Sequence, residues 1–174
     1  MSRPRRLARR RAVQALYSWQ LSSDNLIDIE NQFLVDQDMK DVDLAYFKEL
    51  LHQVPGHLDE IDEKITATID RAFSELDPIE CSIMRMAVYE LLHRPDVPYR
   101  VVINEAIELA KTFGSAEGFK YVNSVVDNLA KELRTVEVNA NKNSGNRTPG
   151  KKRAAKADVK ISIKKKPVIR TIPK

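Results

Sequence analysis

Between residues 5 and 133 apolar side chains return every three or four positions, and each run stops at a capping or helix-breaking group. A chain with that rhythm makes short helices with one apolar stripe each, and such stripes are buried by packing helix on helix. Nothing in this stretch alternates with period two over any length, so no sheet is expected. The predicted class is all-α.

Seven helices can be counted from the stops. Residues 5–21 carry Ala8, Ala12, Ala15, Leu16 and Trp19 on one stripe, and the run Ser22, Ser23, Asp24, Asn25 ends them. The second helix is expected over residues 26–37. The third covers 42–53 and is broken by Pro55-Gly56. The fourth starts near His57, with Leu58, Ile61, Ile65 and Ile69 on one face. Asp77-Pro78-Ile79-Glu80 opens the fifth: Asp caps, Pro takes the first helical position, and Glu80 completes a capping-box pattern. Pro95 and Pro98 separate it from the sixth, over residues 99–112, which buries Ile103, Ala106, Ile107 and Ala110. Phe113-Gly114-Ser115 reads as a Gly stop and a Ser cap. The seventh then buries Val122, Val125, Val126, Leu129 and Leu133.

After Glu137 the rhythm is lost. Residues 1–138 are therefore expected to form the helical domain, and 139–174 a disordered basic tail. Within the tail Val159, Ile161 and Ile163 alternate with polar residues, a pattern that can also form a strand on a partner.

Charge divides at the same place. The chain has 29 Lys+Arg and 25 Asp+Glu, but the tail carries a net +11 and the first 138 residues a net −7. Overall basicity thus says nothing about the helical part. The informative block is Arg3, Arg5, Arg6, Arg9, Arg10 and Arg11, six arginines with no acid among them. On a helix Arg5/Arg9 and Arg6/Arg10 are i, i+4 pairs and make a broad cationic surface. Their mutual repulsion is relieved by phosphates, which a guanidinium can hold bidentately. A solvated helix end is the competing reading.

A second candidate surface lies at the sixth-to-seventh junction, where Lys111 precedes the Gly stop and Phe119, Lys120 and Tyr121 follow it. A helix start offers backbone N–H groups to an anion, and aromatic rings beside lysines suit unstacked bases. Phe119 and Tyr121, two apart, cannot face the same way. Tyr17 lies off the apolar stripe of its helix and is a candidate for a protein interface, whereas the spacing of Trp19 favours the core.

Catalysis finds little support. His52, His57 and His93 have no metal-binding spacing, and five glycines make no phosphate loop. Asn104, Glu105, Asn123 and Asp127 read as hydrogen-bonding groups. Cys81 reads as a small core residue. A lone cysteine rules out an internal disulfide and fits the cytoplasm. No cofactor or metal is expected. No apolar run reaches the length of a membrane span.

Three stretches resemble the NusB family: RRAVQALYSWQ at residues 10–20; Tyr89-Glu90-Leu91 with DVPY at 96–99, VINEAIELAK at 102–111 and Phe113-Gly114; and KYVNSVVD at 120–127. The likeness spans residues 5–134 in one register. It implies seven helices in two packed three-helix bundles, and no enzymatic activity. It further implies an RNA-binding antitermination factor that grips the boxA element of ribosomal RNA leaders with the ribosomal protein NusE, then joins other Nus factors and RNA polymerase. By matching positions, Arg5, Arg6, Arg9, Arg10, Lys111, Glu117, Lys120 and Tyr121 would bind RNA, and Tyr17 and Glu80 would face NusE. Gly118-Phe119 departs from the polar run that relatives often carry after Phe-Gly. An accessory module of an RNA-modifying enzyme, or a purely structural interaction protein, are the alternative readings.

Overall fold

Pro78–His93 is the helix about which the others are arranged, with every residue from 80 to 91 buried along it. The computed structural model describes residues 2–145. In chain order the helices are α1 (Arg3–Ser22), α2 (Leu26–Asp36), α3 (Leu44–Gly56), α4 (Leu58–Thr68), α5 (Pro78–His93), α6 (Tyr99–Phe113), α7 (Gly118–Leu133) and α8 (Thr135–Gly145). A single 3-10 turn, Phe73–Glu75, lies between α4 and α5, and no strand occurs among the described residues.

The first three helices pack on one another as one bundle. The second is made by α5, α6 and α7, with α4 closing against α5 and α7. α5 also touches α1 and α3 and so joins the bundles. Its all-round burial explains why it shows no clean amphipathic stripe. The core runs through both bundles, with Phe47, Leu50, Leu51, Ile61, Ile65, Met84, Leu91 and Leu129 fully buried. Burying each such side chain contributes about 1.5–3 kcal/mol. Cys81 belongs to this core, and burial pushes its thiol up to about 11.

The helix starts follow the local chemistry. Asn25 Oδ1 accepts from the Ile27 N–H at 2.8 Å, and Asp43 Oδ1 from the Tyr46 N–H at 3.1 Å. Asp77 Oδ1 accepts from the N–H groups of Ile79 (2.9 Å) and Glu80 (3.3 Å). Asp77→Ala is expected to cost about 1 kcal/mol, the usual worth of an N-cap. Urea unfolding measures this, and an unshifted midpoint would show that the cap contributes nothing.

Three expectations need correction. Pro55 does not lie beyond α3 but inside its last turn, where the missing N–H forfeits only one helical bond. The capping box is half made, because the Glu80 side chain turns away from Asp77 toward Ser115. The helical chain also does not end at residue 138. α8 continues to Gly145, anchored at its start by buried Val138 and by Glu137 Oε1, which accepts from the Tyr99 N–H at 3.2 Å. The expectations for the tail from residue 146 onward, including Val159, Ile161 and Ile163, lie outside the described residues. No helix among the described residues is long and apolar enough to cross a membrane.

Candidate nucleic-acid interface

α1 lays its Ala8, Ala12, Val13, Ala15 and Leu16 side against α3 and α5, and this decides which arginines reach solvent. Arg6 is 68% exposed and donates from Nε to Glu105 Oε1 at 3.2 Å. Arg10 is exposed, and its guanidinium lies over the Phe113 ring at 5.4 Å. Arg5 is half-buried between Asp96 (3.2 Å) and Asp43 (3.7 Å). The Asp96 carboxyl is held well below the usual carboxylate range, first by hydrogen bonds from Arg94 and also by Arg5. Arg11 bonds to Gln37 Oε1 at 2.9 Å and to the Asp38 carbonyl at 3.1 Å.

Arg9 corrects the expectation of a four-arginine surface. Its exposure is 0%. Its Nε donates to both carboxylate oxygens of Glu90, at 2.9 and 3.0 Å, and its Nη2 to the Tyr46 hydroxyl at 3.0 Å. Tyr46 in turn donates to Glu90. Burial opposes the Arg9 charge, but the bonds to Glu90 and its negative charge prevail, and the guanidinium is held above its ordinary value. Burial, then the Glu90 charge, push the Tyr46 phenol up. The reason was present in the sequence: Arg9 is three, four and seven residues before Ala12, Val13 and Leu16, so it belongs to the core stripe.

At the α6–α7 junction Lys111 pairs with Glu108 at 3.0 Å, and Lys120 pairs with Glu117. Both ammonium groups approach the Phe119 ring, Lys111 Nζ at 5.7 Å and Lys120 Nζ at 6.0 Å from its centroid. Tyr121 is half-buried and donates to Asp70 Oδ1 at 3.2 Å. Phe119 and Tyr121 thus reach different neighbours, as their spacing requires.

The expectation that α7 offers its first N–H groups to an anion is not met at Gly118. That N–H donates to Ser115 Oγ at 2.9 Å, and the Glu80 carboxylate lies against the same glycine. Ser115 is not the N-cap residue, which is Glu117, but its hydroxyl does accept from the first N–H of the helix.

The arginine helix and the junction form one surface through direct contacts. Arg6 and Arg10 line a cleft of about 250 Å³ with Glu105, Glu108 and Thr112 of α6. Glu108 holds Lys111, and Lys111 borders Phe119. Arg71 was missed by sequence reasoning. It comes from the loop after α4, and its guanidinium lies over the Tyr121 ring at 4.1 Å. No local signal distinguishes an arginine in a short loop, since Tyr121 is 50 residues away in the sequence.

A neighbouring groove of about 590 Å³ is lined by Gln14, Tyr17, Phe33, Asp77, Ile79 and Phe113, among others. Tyr17 is 37% exposed there, in keeping with its place off the α1 stripe. Glu80 is not on that surface. It is 7% exposed, turned inward, and accepts from Ser115 Oγ at 3.0 Å. Its neighbours Asp77, Pro78 and Ile79 on the same turn line the groove, while the Glu80 carboxylate itself is engaged with Ser115. Phe113 belongs to both places, lining the groove while its ring carries Arg10.

Comparison with known proteins gives a consistent result. The model of the NusB family matches residues 6–131. The chain is 55% identical over 139 residues to the transcription antitermination protein NusB of Pseudomonas fluorescens (strain Pf0-1), covering 80% of this chain and 84% of that one. It is 54% identical over 130 residues to the protein of that name from Shewanella halifaxensis (strain HAW-EB4), covering 75% and 96%. The solved structure of T. maritima NusB superposes with a TM-score of 0.67 at 28% identity, covering 80% of this chain and 99% of that chain.

Proposed function

Since the chain belongs to the NusB family, we propose that it is a transcription antitermination factor that binds the boxA element of ribosomal RNA leader transcripts. It does so with the ribosomal protein NusE, and the complex acts with other Nus factors to promote read-through by RNA polymerase. The curated relatives carry the name antitermination protein, and the chain spans more than four-fifths of those cited here.

One observation carries the RNA reading. Exposed Arg10 lies over the Phe113 ring, exposed Lys111 and Lys120 lie at the Phe119 ring, and exposed Arg6 lines the adjoining cleft with Arg10. Cations interleaved with aromatic rings suit single-stranded RNA, whose phosphates and bases are both accessible. The ion pairs now holding Lys111 and Lys120 are solvent-exposed and worth about 0–1 kcal/mol each, so phosphates can replace the carboxylates. Glu117, released from Lys120, can accept from an exocyclic amine of a base. Tyr121 and Arg71 extend the surface, and Arg5 stands at its edge. Arg9 supports it from below. The groove around Tyr17 is the surface offered to NusE, with an amphipathic ring at an apolar cleft.

The test compares three RNA-binding titrations of the full chain: boxA RNA alone, a scrambled RNA of equal length, and boxA RNA with NusE present. The scrambled control matters because a net +11 tail contributes affinity that ignores base identity. Binding that is tighter for boxA than for the scrambled RNA, and tighter again with NusE, is expected. Equal affinity for both RNAs with no response to NusE would contradict the proposal.

A further inference from the structure

Gly118 opens α7 with no side chain, and the structure supplies a reason for that. A Cβ placed on Gly118 would lie 1.8 Å from Glu80 Oε1, 2.7 Å from Glu80 Cδ and 2.7 Å from Ser115 Oγ. The space of the missing methyl group is filled by the carboxylate of a residue on another helix. Glu80 sits on the first turn of α5, 38 positions earlier in the chain. Ser115 Oγ donates to Glu80 Oε1 at 3.0 Å and accepts from the Gly118 N–H at 2.9 Å. One hydroxyl therefore ties the start of α7 to the start of α5.

We infer that Glu80, Ser115 and Gly118 form a latch that positions the α6–α7 turn, and with it Glu117 and Lys120, for RNA. None of the three needs to touch RNA; they are positioning residues. The inference rests on the RNA-binding reading above. Its physical content is that Ser115 and Gly118 give the turn a hydrogen-bonded tie to α5 through Glu80. Gly114 bonds back into α6, its N–H donating to the Ala110 carbonyl at 2.8 Å. Residues 115–117 are exposed, and Lys111 and Lys120 are on the two sides of that short span. Lys111 and Lys120 sit on α6 and α7, whose mutual packing sets their backbones; the latch fixes how the first turn of α7, with Glu117 before it, meets α5. Glu80 suits this task because its backbone is fixed by the Asp77 cap and its carboxylate is buried. The groove residues Asp77 and Ile79 share that same first turn, so the latch also connects the proposed partner face to the RNA face.

The test uses two uncharged positions, so that no charge is removed. Ser115→Ala deletes the hydroxyl, and Gly118→Ala drives a methyl group into the carboxylate's place. Full-length parent, both single variants and the double variant are titrated with a single-stranded boxA RNA across a salt series. Melting temperature and helix content are measured alongside. If the Lys120–phosphate contact is lost, the log–log salt slope becomes shallower by about 0.7. At about 0.1 M salt the same rule makes that a loss of roughly fivefold. Because both substitutions break one latch, the double variant should lose no more than the worse single variant. Folded variants with the parent's slope and affinity would overturn the latch while leaving the functional reading intact. A loss of affinity that merely tracks melting temperature, with an unchanged slope, would overturn it too. A parent chain that binds no RNA would overturn the functional reading and the latch together.

Discussion

Arg9→Ala is expected to destabilise the folded chain by about 3–5 kcal/mol, the cost of breaking a buried ion pair by removing one member. Glu90, 1% exposed, would be left with a charge and no guanidinium to meet it. The Tyr46 hydroxyl alone cannot compensate a buried carboxylate. The pair joins α1 to α5, and Tyr46 brings in α3, so the loss falls where the two bundles meet. Arg9→Ala with Glu90→Ala should cost clearly less than the sum of the single replacements, because the orphaned charge is gone. Equilibrium unfolding in urea decides this. A cost below about 1 kcal/mol for Arg9→Ala, in the range of an exposed pair, would return Arg9 to the surface.

The second large effect is at the groove. Tyr17→Asp should lower NusE affinity by about a hundredfold or more while the melting temperature barely moves. Desolvating an unpaired carboxylate at an interface costs several kcal/mol, and each 1.4 kcal/mol is a factor of ten. Asp77 lines the same groove and adds repulsion. Stability should be spared because Tyr17 lies outside the buried stripe of α1. Titration calorimetry that finds parent-like NusE binding by the folded variant would remove Tyr17 from the contact.

What could be read from the sequence was what is local. Asp77 announced one helix start and Ser115 lay close to another, because capping acts over two or three residues. The exposure of Tyr17 and the burial of Val122, Val125 and Leu129 followed from helical spacing alone. The misses depend on residues far apart in the chain. Arg9 has the local spacing of the core stripe, but the partner that lets a guanidinium be buried there, Glu90, lies 81 residues on. Glu80 looked like part of its own helix's capping box, yet its partner is Ser115. Arg71 gained its place only when α7 carried Tyr121 to it. The first turn of α8 shows no apolar stripe because only Val138 of its described apolar side chains is deeply buried while Val136 stands exposed; Val138 and Glu137 dock that turn. The family resemblance suggested where RNA and partner faces would lie, and the geometry decided which of the suggested side chains are exposed and which are buried.

The claim that the α1 and α6–α7 cations hold RNA phosphates is tested most directly by the salt dependence of boxA RNA binding. The full chain is compared with a variant in which Arg6, Arg10, Lys111 and Lys120 are all replaced by Ala. Four phosphate contacts to a single strand contribute about −3 to the log–log slope, so the variant's slope should be shallower by about that amount, with helix content unchanged. A variant of unchanged slope and unchanged helix content would contradict the claim and place the RNA elsewhere on the chain.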